Sequence, residues 1–141
     1  MTLDLDMSLH AWPGERESSG LASLYRGPIL LAYDHRYNLD LVAGQPPSVR
    51  PREARDVQAA PRLWMPALEA GRMVERPAEW TGLLPPWLLF AFEAADGRPV
   101  HLCDFASAGQ AGTPYRSWLD LAHAPLPRAY SPENPLRSQP L

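Results

Sequence analysis

Few side chains in this sequence are typed and spaced for chemistry. Four histidines, at 10, 35, 101 and 123, fall on separate segments, and none makes a close helical pair with another ligand type. The best local cluster is His101-Leu102-Cys103-Asp104, where His101 and Cys103 share a strand face as metal ligands could. A zinc site needs about four such groups. Two at i and i+2 fit better with a strand that buries Cys103 as a small apolar side chain. Phe105-Ala106-Ser107-Ala108-Gly109 has the outline of the G-x-S-x-G turn that exposes a hydrolase serine, but its first glycine is missing. The context is also strand to loop rather than strand to helix, so Ser107 lacks the sharp turn that a nucleophile requires. Asp34 and Asp104 each close an apolar strand, where a buried carboxylate must find donors. Trp64, Trp80, Trp87 and Trp118, with Tyr25 and Arg26, could stack on a sugar or form a domain contact. The same tryptophans are what a small β core needs.

The elements that must position these groups are short. Leu3, Leu5, Met7 and Leu9 alternate with Asp4, Asp6, Ser8 and His10, which predicts a half-buried strand ending at a Trp12-Pro13-Gly14 turn. Leu21 to Tyr33 is a second apolar run, interrupted at Gly27-Pro28 by what reads as a bulge or bend. From Leu39 to Pro61 the pattern dissolves into a coil-rich insertion around Gln45-Pro46-Pro47 and Arg50-Pro51-Arg52. Short strands are expected over Arg62 to Leu68 and Arg72 to Val74. Leu83 to Phe92 is apolar on both parities, as a central strand covered on both faces would be. Ala95-Asp96-Gly97-Arg98 is a hairpin signal, and Pro99 to Phe105 returns as its partner. Tyr115 to Leu121 alternates as a last strand. Residues 1–124 thus read as one antiparallel β-sandwich, jelly-roll-like, and 125–141 as a proline-rich disordered tail.

Composition agrees. In 141 residues there are 17 prolines, where average usage of about 5% would give about seven, which excludes a helical bundle. The net charge of −3 comes from 16 acids and 13 bases spread along the chain. All the bases are arginine and none is lysine, and they form no stripe that would track phosphates, so nucleic acid is not an expected partner. A single cysteine allows no internal disulfide. The acidic start lacks the pattern of a signal peptide, and no apolar run approaches a membrane span. The expectation is a soluble, cytoplasmic protein without a membrane partner; a secreted protein shorn of its leader would look the same.

Three stretches carry a resemblance. Ala22-Ser23-Leu24-Tyr25-Arg26-Gly27-Pro28-Ile29-Leu30-Leu31-Ala32-Tyr33-Asp34 resembles the RGPLLLA strand of glycoside hydrolase family 127, the β-L-arabinofuranosidase-like family. Leu102 to Gly109, followed by Thr113-Pro114-Tyr115-Arg116-Ser117-Trp118-Leu119, resembles the FADAG…YRVWL ending of the same proteins. Leu3-Asp4-Leu5-Asp6-Met7-Ser8-Leu9 is similar to the family's L-x-L-P-M strand, with Asp6 where proline is usual. In that family a helical (α/α)₆ barrel carries catalysis through a cysteine nucleophile and a zinc held by Cys and Glu, and β-sandwich domains follow it. All the matches lie in the C-terminal sandwich portion. The resemblance therefore implies a non-catalytic accessory domain with no cofactor, in which Cys103 inherits no catalytic role. Its expected partner is a separate catalytic module or another copy of itself. Two other readings stand beside it: a carbohydrate-binding module using exposed Trp and Tyr, and a small stand-alone hydrolase built on Ser107 or on a His101–Cys103 metal site.

Overall fold

The computed structural model describes residues 2–43, 48–49, 62–73 and 78–122. Most of the insertion, the 125–141 tail and His123 lie outside the described residues.

The chain is all-β. Strand β1 (Leu9–Pro13) pairs antiparallel with β2 (Ala22–Arg26), and β2 turns directly into β3 (Ile29–Asp34). A single helical turn, α1 (Leu39–Val42), follows, and β4 (Ser48–Val49) pairs with β5 (Arg62–Leu63) as a separate two-stranded ribbon. Then come β6 (Leu68–Met73), β7 (Leu89–Ala94), β8 (Pro99–Asp104) and the short β9 (Tyr115–Arg116). Among the described residues the main sheet has seven strands in the order β1-β2-β3-β8-β7-β6, with β9 added on β3.

This sheet curls into a half-barrel. Strand β2 stays with β3 only over Tyr25↔Leu30 and Arg26↔Ile29, and β9 takes up the vacated edge at Tyr33↔Arg116 and Asp34↔Tyr115. The chain after β9 then ties the two ends together. Leu119 exchanges both backbone bonds with Ala22 on β2, and Asp120 O and Ala122 N bond Leu68 on β6. Among the described residues the strands thus form one curled sheet and a small ribbon, rather than the two stacked sheets expected of a sandwich.

Two hydrophobic clusters lie on the two faces of this sheet. One face collects Leu24, Leu31, Tyr33, Leu68, Phe90, Phe92, Val100, Leu102 and Leu119, and the other face collects Ala32, Tyr37, Leu89 and Cys103. Consecutive residues Leu89 and Phe90 belong to opposite clusters, which is why this segment is apolar on both parities.

Several expectations are corrected at the ends of elements. The first strand does not run over Leu3 to Leu9; it begins at Leu9, because the hairpin partner ends at Gly27 and residues 2–8 belong to no strand. Trp12 and Pro13 are its last residues rather than a turn. Pro13 is tolerated there because the backbone bonds Gly27 N to Ser8 O and Gly14 N to Leu21 O put the β2-facing groups on even residues. The missing N–H of Pro13 points outward. Gly27-Pro28 is neither bulge nor bend but the two-residue turn of the β2–β3 hairpin, with Gly27 at φ 57 and proline supplying a negative φ next to it. The Leu83 to Phe92 strand starts only at Leu89. The Arg62 to Leu68 strand is two residues long, and Arg72 falls within β6. The last strand shrinks to Tyr115–Arg116 plus single bridges. The Asp96-Gly97 hairpin is as expected: Gly97 takes φ 83, and Ala94 N bonds Arg98 O.

Candidate interaction surface

Asp34, at the end of β3, is fully buried. Its Oδ1 accepts from Arg36 N at 2.8 Å and from Thr113 Oγ1 at 2.5 Å, and its Oδ2 accepts from Gly109 N at 2.8 Å. Asp104, at the end of the neighbouring β8, does the same work one strand over. Its Oδ1 accepts from Leu88 N at 2.9 Å, and its Oδ2 accepts from Ser107 N at 3.0 Å and Ser107 Oγ at 2.8 Å. Ser107 Oγ in turn accepts from Trp87 N at 3.1 Å. At the Asp34 end, Asn38 stands in for a strand residue: its Nδ2 donates to Asp34 O and His101 O, and its Oδ1 accepts from His101 N. Because β3 and β8 run antiparallel, Asp34 and Asn38 serve the end of β3 beside His101, while Asp104 and Ser107 serve the end of β8 beside Leu31; each pair satisfies backbone groups that no strand reaches.

Arg36 adds a clamp. It is almost fully buried, and its Nη1 donates to Leu84 O at 2.9 Å and Leu83 O at 3.5 Å while Nη2 donates to the Tyr37 hydroxyl. Its guanidinium lies 4.5 Å from the Tyr37 ring centroid and 6.0 Å from that of Trp80, and these two rings meet edge to face at 5.0 Å.

Arg36, Ser107 and Asp104 thus hold the backbone of Leu83, Leu84, Trp87 and Leu88, and that loop faces outward. Leu83 is 90% exposed, Leu84 52% and Trp87 86%, with Pro85 also exposed. Leu84 sits at φ 53, a left-handed conformation that costs a residue with a Cβ about 1–2 kcal/mol. Its carbonyl is the one Arg36 holds most closely. Exposed Phe105, in the turn that carries Ser107, packs edge to face on exposed Tyr115 at 6.0 Å. An apolar loop pinned from below by buried polar groups is not a frayed segment; clustered apolar exposure of this sort marks contact surfaces.

No family model, curated protein or solved structure matches the chain.

The other sequence candidates are dispersed. Trp64 packs against the larger cluster and Trp80 against the second; Trp118 is half-buried, with its carbonyl accepting from Arg116 Nε. Tyr25 stacks on His10 across β1 and β2, and Arg26 is half-buried at the hairpin turn. Only Trp87 of the four tryptophans stands open, so the structure does not bring them together as a platform. Ser107 is fully buried with its hydroxyl committed at both ends, which removes the access a nucleophile needs. Among the described residues no group of three or more His, Cys, Asp or Glu is placed to hold a metal, and no helix is long and apolar enough to cross a membrane.

The sequence singled out Asp34 and Asp104 but missed Arg36, Asn38 and the loop as a loop. The signal for the last was Pro85-Pro86, which strands avoid.

Burial pushes the Cys103 thiol up to about 12, with the nearby Asp34 and Asp104 adding to the effect. Native protein at pH 8 is therefore expected to show no thiol reactive toward Ellman's reagent, and one thiol per chain in urea; a native reactive thiol would contradict the burial. Burial also lowers His101 below its ordinary 6.5, opposed in part by a backbone hydrogen bond with Tyr37. The unfolded chain then takes up this proton more readily than the folded one, so stability is present above about 6.5 and is lost as pH falls below it. Urea denaturation between pH 7.5 and 5 is expected to show this decline, and His101→Gln to flatten it.

Proposed function

We propose that this chain is a non-catalytic β module, similar to the C-terminal portion of family 127 glycoside hydrolases, which docks on a separate helical catalytic module through Leu83, Leu84 and Trp87. The observation that carries the reading is the pinned loop: three large apolar side chains are exposed on a backbone fixed by Arg36, Asp104 and Ser107. Holding a loop in its binding conformation before contact cuts the ordering cost of association. The resemblance gains coherence from the fold, since its separate stretches form one substructure. The β2–β3 hairpin ends in Asp34, which bonds Gly109 and Thr113 from the later stretch.

Trp87 supplies the readout. On titration with a purified family 127 helical barrel the tryptophan emission is expected to shift to the blue and saturate, while arabinose-containing oligosaccharides at millimolar concentration leave it unchanged. A shift with the sugar alone would favour the carbohydrate-binding reading and overturn this one.

A further inference from the structure

We propose that a second copy of this chain pairs antiparallel with the free edge of β1, using residues 3–11 of both copies to continue the sheet across a two-fold axis. This rests on a different surface from the docking loop and does not depend on it.

Among the described residues strand β1 ends the strand order, and one of its edges has no partner in the sheet. The β2-facing backbone groups fall on even residues, as Gly27 N to Ser8 O and Gly14 N to Leu21 O show, so Leu9 and Ala11 point their N–H and C=O outward and Pro13 offers only a carbonyl. The strand pattern nevertheless runs on toward the N-terminus without a sheet to serve it. Leu9 packs against the core, but along the same parity exposure rises to 37% at Met7, 52% at Leu5 and 73% at Leu3. An alternating segment beside an open edge is a template for strand addition.

The pattern selects both the occupant and the register. A one-residue slip would set apolar side chains against acidic ones, so only registers that keep parity are useful. Pairings centred on Asp4, Leu5 or Asp6 place two carboxylates opposite each other, which is destabilising. Pairings centred on Ser8 or Leu9 bring Pro13, with no N–H, into the ladder. The pairing centred on Met7 avoids both. Met7 faces Met7 of the second copy, Leu5 faces Leu9, and Leu3 faces Ala11, all on the core side. On the other face Asp6 meets Ser8 and Asp4 meets His10, a carboxylate opposite an imidazole that already stacks on Tyr25 at 5.6 Å. In the single chain Asp6 Oδ1 accepts from Ser8 N at 2.9 Å and Met7 lies over Gly27, a local turn that the segment gives up when it extends along the second copy. The segment is therefore complementary to itself, as an isologous two-fold interface requires.

Sedimentation velocity of the full chain tests this. A concentration-dependent dimer is expected. Met7→Cys should form an intermolecular disulfide on mild oxidation, because directly opposed residues stand about 5.5 Å apart between Cα atoms, within disulfide range. Leu5→Cys should not, its opposite number being Leu9; Cys103 is buried and adds no background. Leu5→Pro removes an outward N–H from a residue outside the sheet, so it should weaken the dimer at least tenfold and leave the melting temperature unchanged. A chain that stays monomeric at 200 µM overturns the proposal. So does a dimer that survives Leu5→Pro, or one that is lost instead in a Leu83→Ser/Trp87→Ser variant, which would assign self-association to the loop.

Discussion

Asp34→Ala is expected to destabilise the protein by about 3–5 kcal/mol, a large part of the total stability of a domain this size. The carboxylate holds three donors from three places in the chain: Arg36 N in the following turn, Gly109 N and Thr113 Oγ1. Hydrogen bonds to a charged acceptor contribute roughly 1.5–3 kcal/mol each, and the two backbone N–H groups left behind cannot all reach water. Arg36 N and Gly109 N would be orphaned at the end of β3, where β9 begins to pair with it, so the damage should spread to the pairing of β9 with β3. Asp34→Asn keeps the shape and an acceptor at the Oδ1 position but turns an NH2 toward Gly109 N. A loss of about half that of the alanine variant is expected. Urea denaturation monitored by tryptophan fluorescence measures both, and a loss under 1 kcal/mol for Asp34→Ala would show that the network is incidental.

The second large effect is on binding and should leave stability alone. Leu83→Ser with Trp87→Ser removes two of the most exposed apolar side chains on the pinned loop, and neither side chain belongs to a core cluster. Truncating a central aromatic anchor commonly costs 2 kcal/mol or more of association energy. Docking on the helical barrel is therefore expected to weaken roughly 100-fold for the pair. The melting temperature should hold or rise slightly, because exposed apolar groups contribute nothing to the folded core. Arg36→Met is the companion variant: it leaves the anchors in place and frees the backbone that carries them, including the left-handed Leu84. Weaker docking in that variant, with the anchors intact, would separate preorganisation from contact area.

How much of this was legible in the sequence depends on the range of each interaction. The β7–β8 hairpin could be read because its cause is local: Asp96-Gly97 supplies the positive φ between two apolar runs. The hydrophobic faces of β3 and β7 were equally readable, since period and burial are properties of neighbouring residues. Gly27-Pro28 looks like a bulge in the sequence because proline inside an apolar run usually signals one; whether two flanking strands fold back on one another is a tertiary fact. The N-terminal alternation has the pattern of a strand, yet pairing stops where β2 runs out, and the partner's length is not written in residues 2–8. The polar site was half visible. Asp34 and Asp104 stood out as acids closing apolar strands, but the groups that explain Asp34 lie up to 79 residues away, and those of Arg36 up to 48. Arg36 is one arginine among thirteen bases with nothing local to mark it. The apolar run Leu83 to Phe92 was seen as one strand because both halves are apolar; the fold splits it into an exposed loop and a buried strand at Leu88.

The central claim is that the pinned loop is a docking surface whose apolar side chains are buried on association. Calorimetric titration of the whole chain into a family 127 helical barrel at several temperatures tests it most directly, because burial of apolar surface gives a negative heat-capacity change. Saturable binding is expected, with an enthalpy that becomes more favourable as temperature rises; that slope should shrink and the affinity fall in Leu83→Ser/Trp87→Ser. Absence of binding by the wild-type chain, or binding whose affinity and temperature slope are unchanged in the variant, would contradict the account.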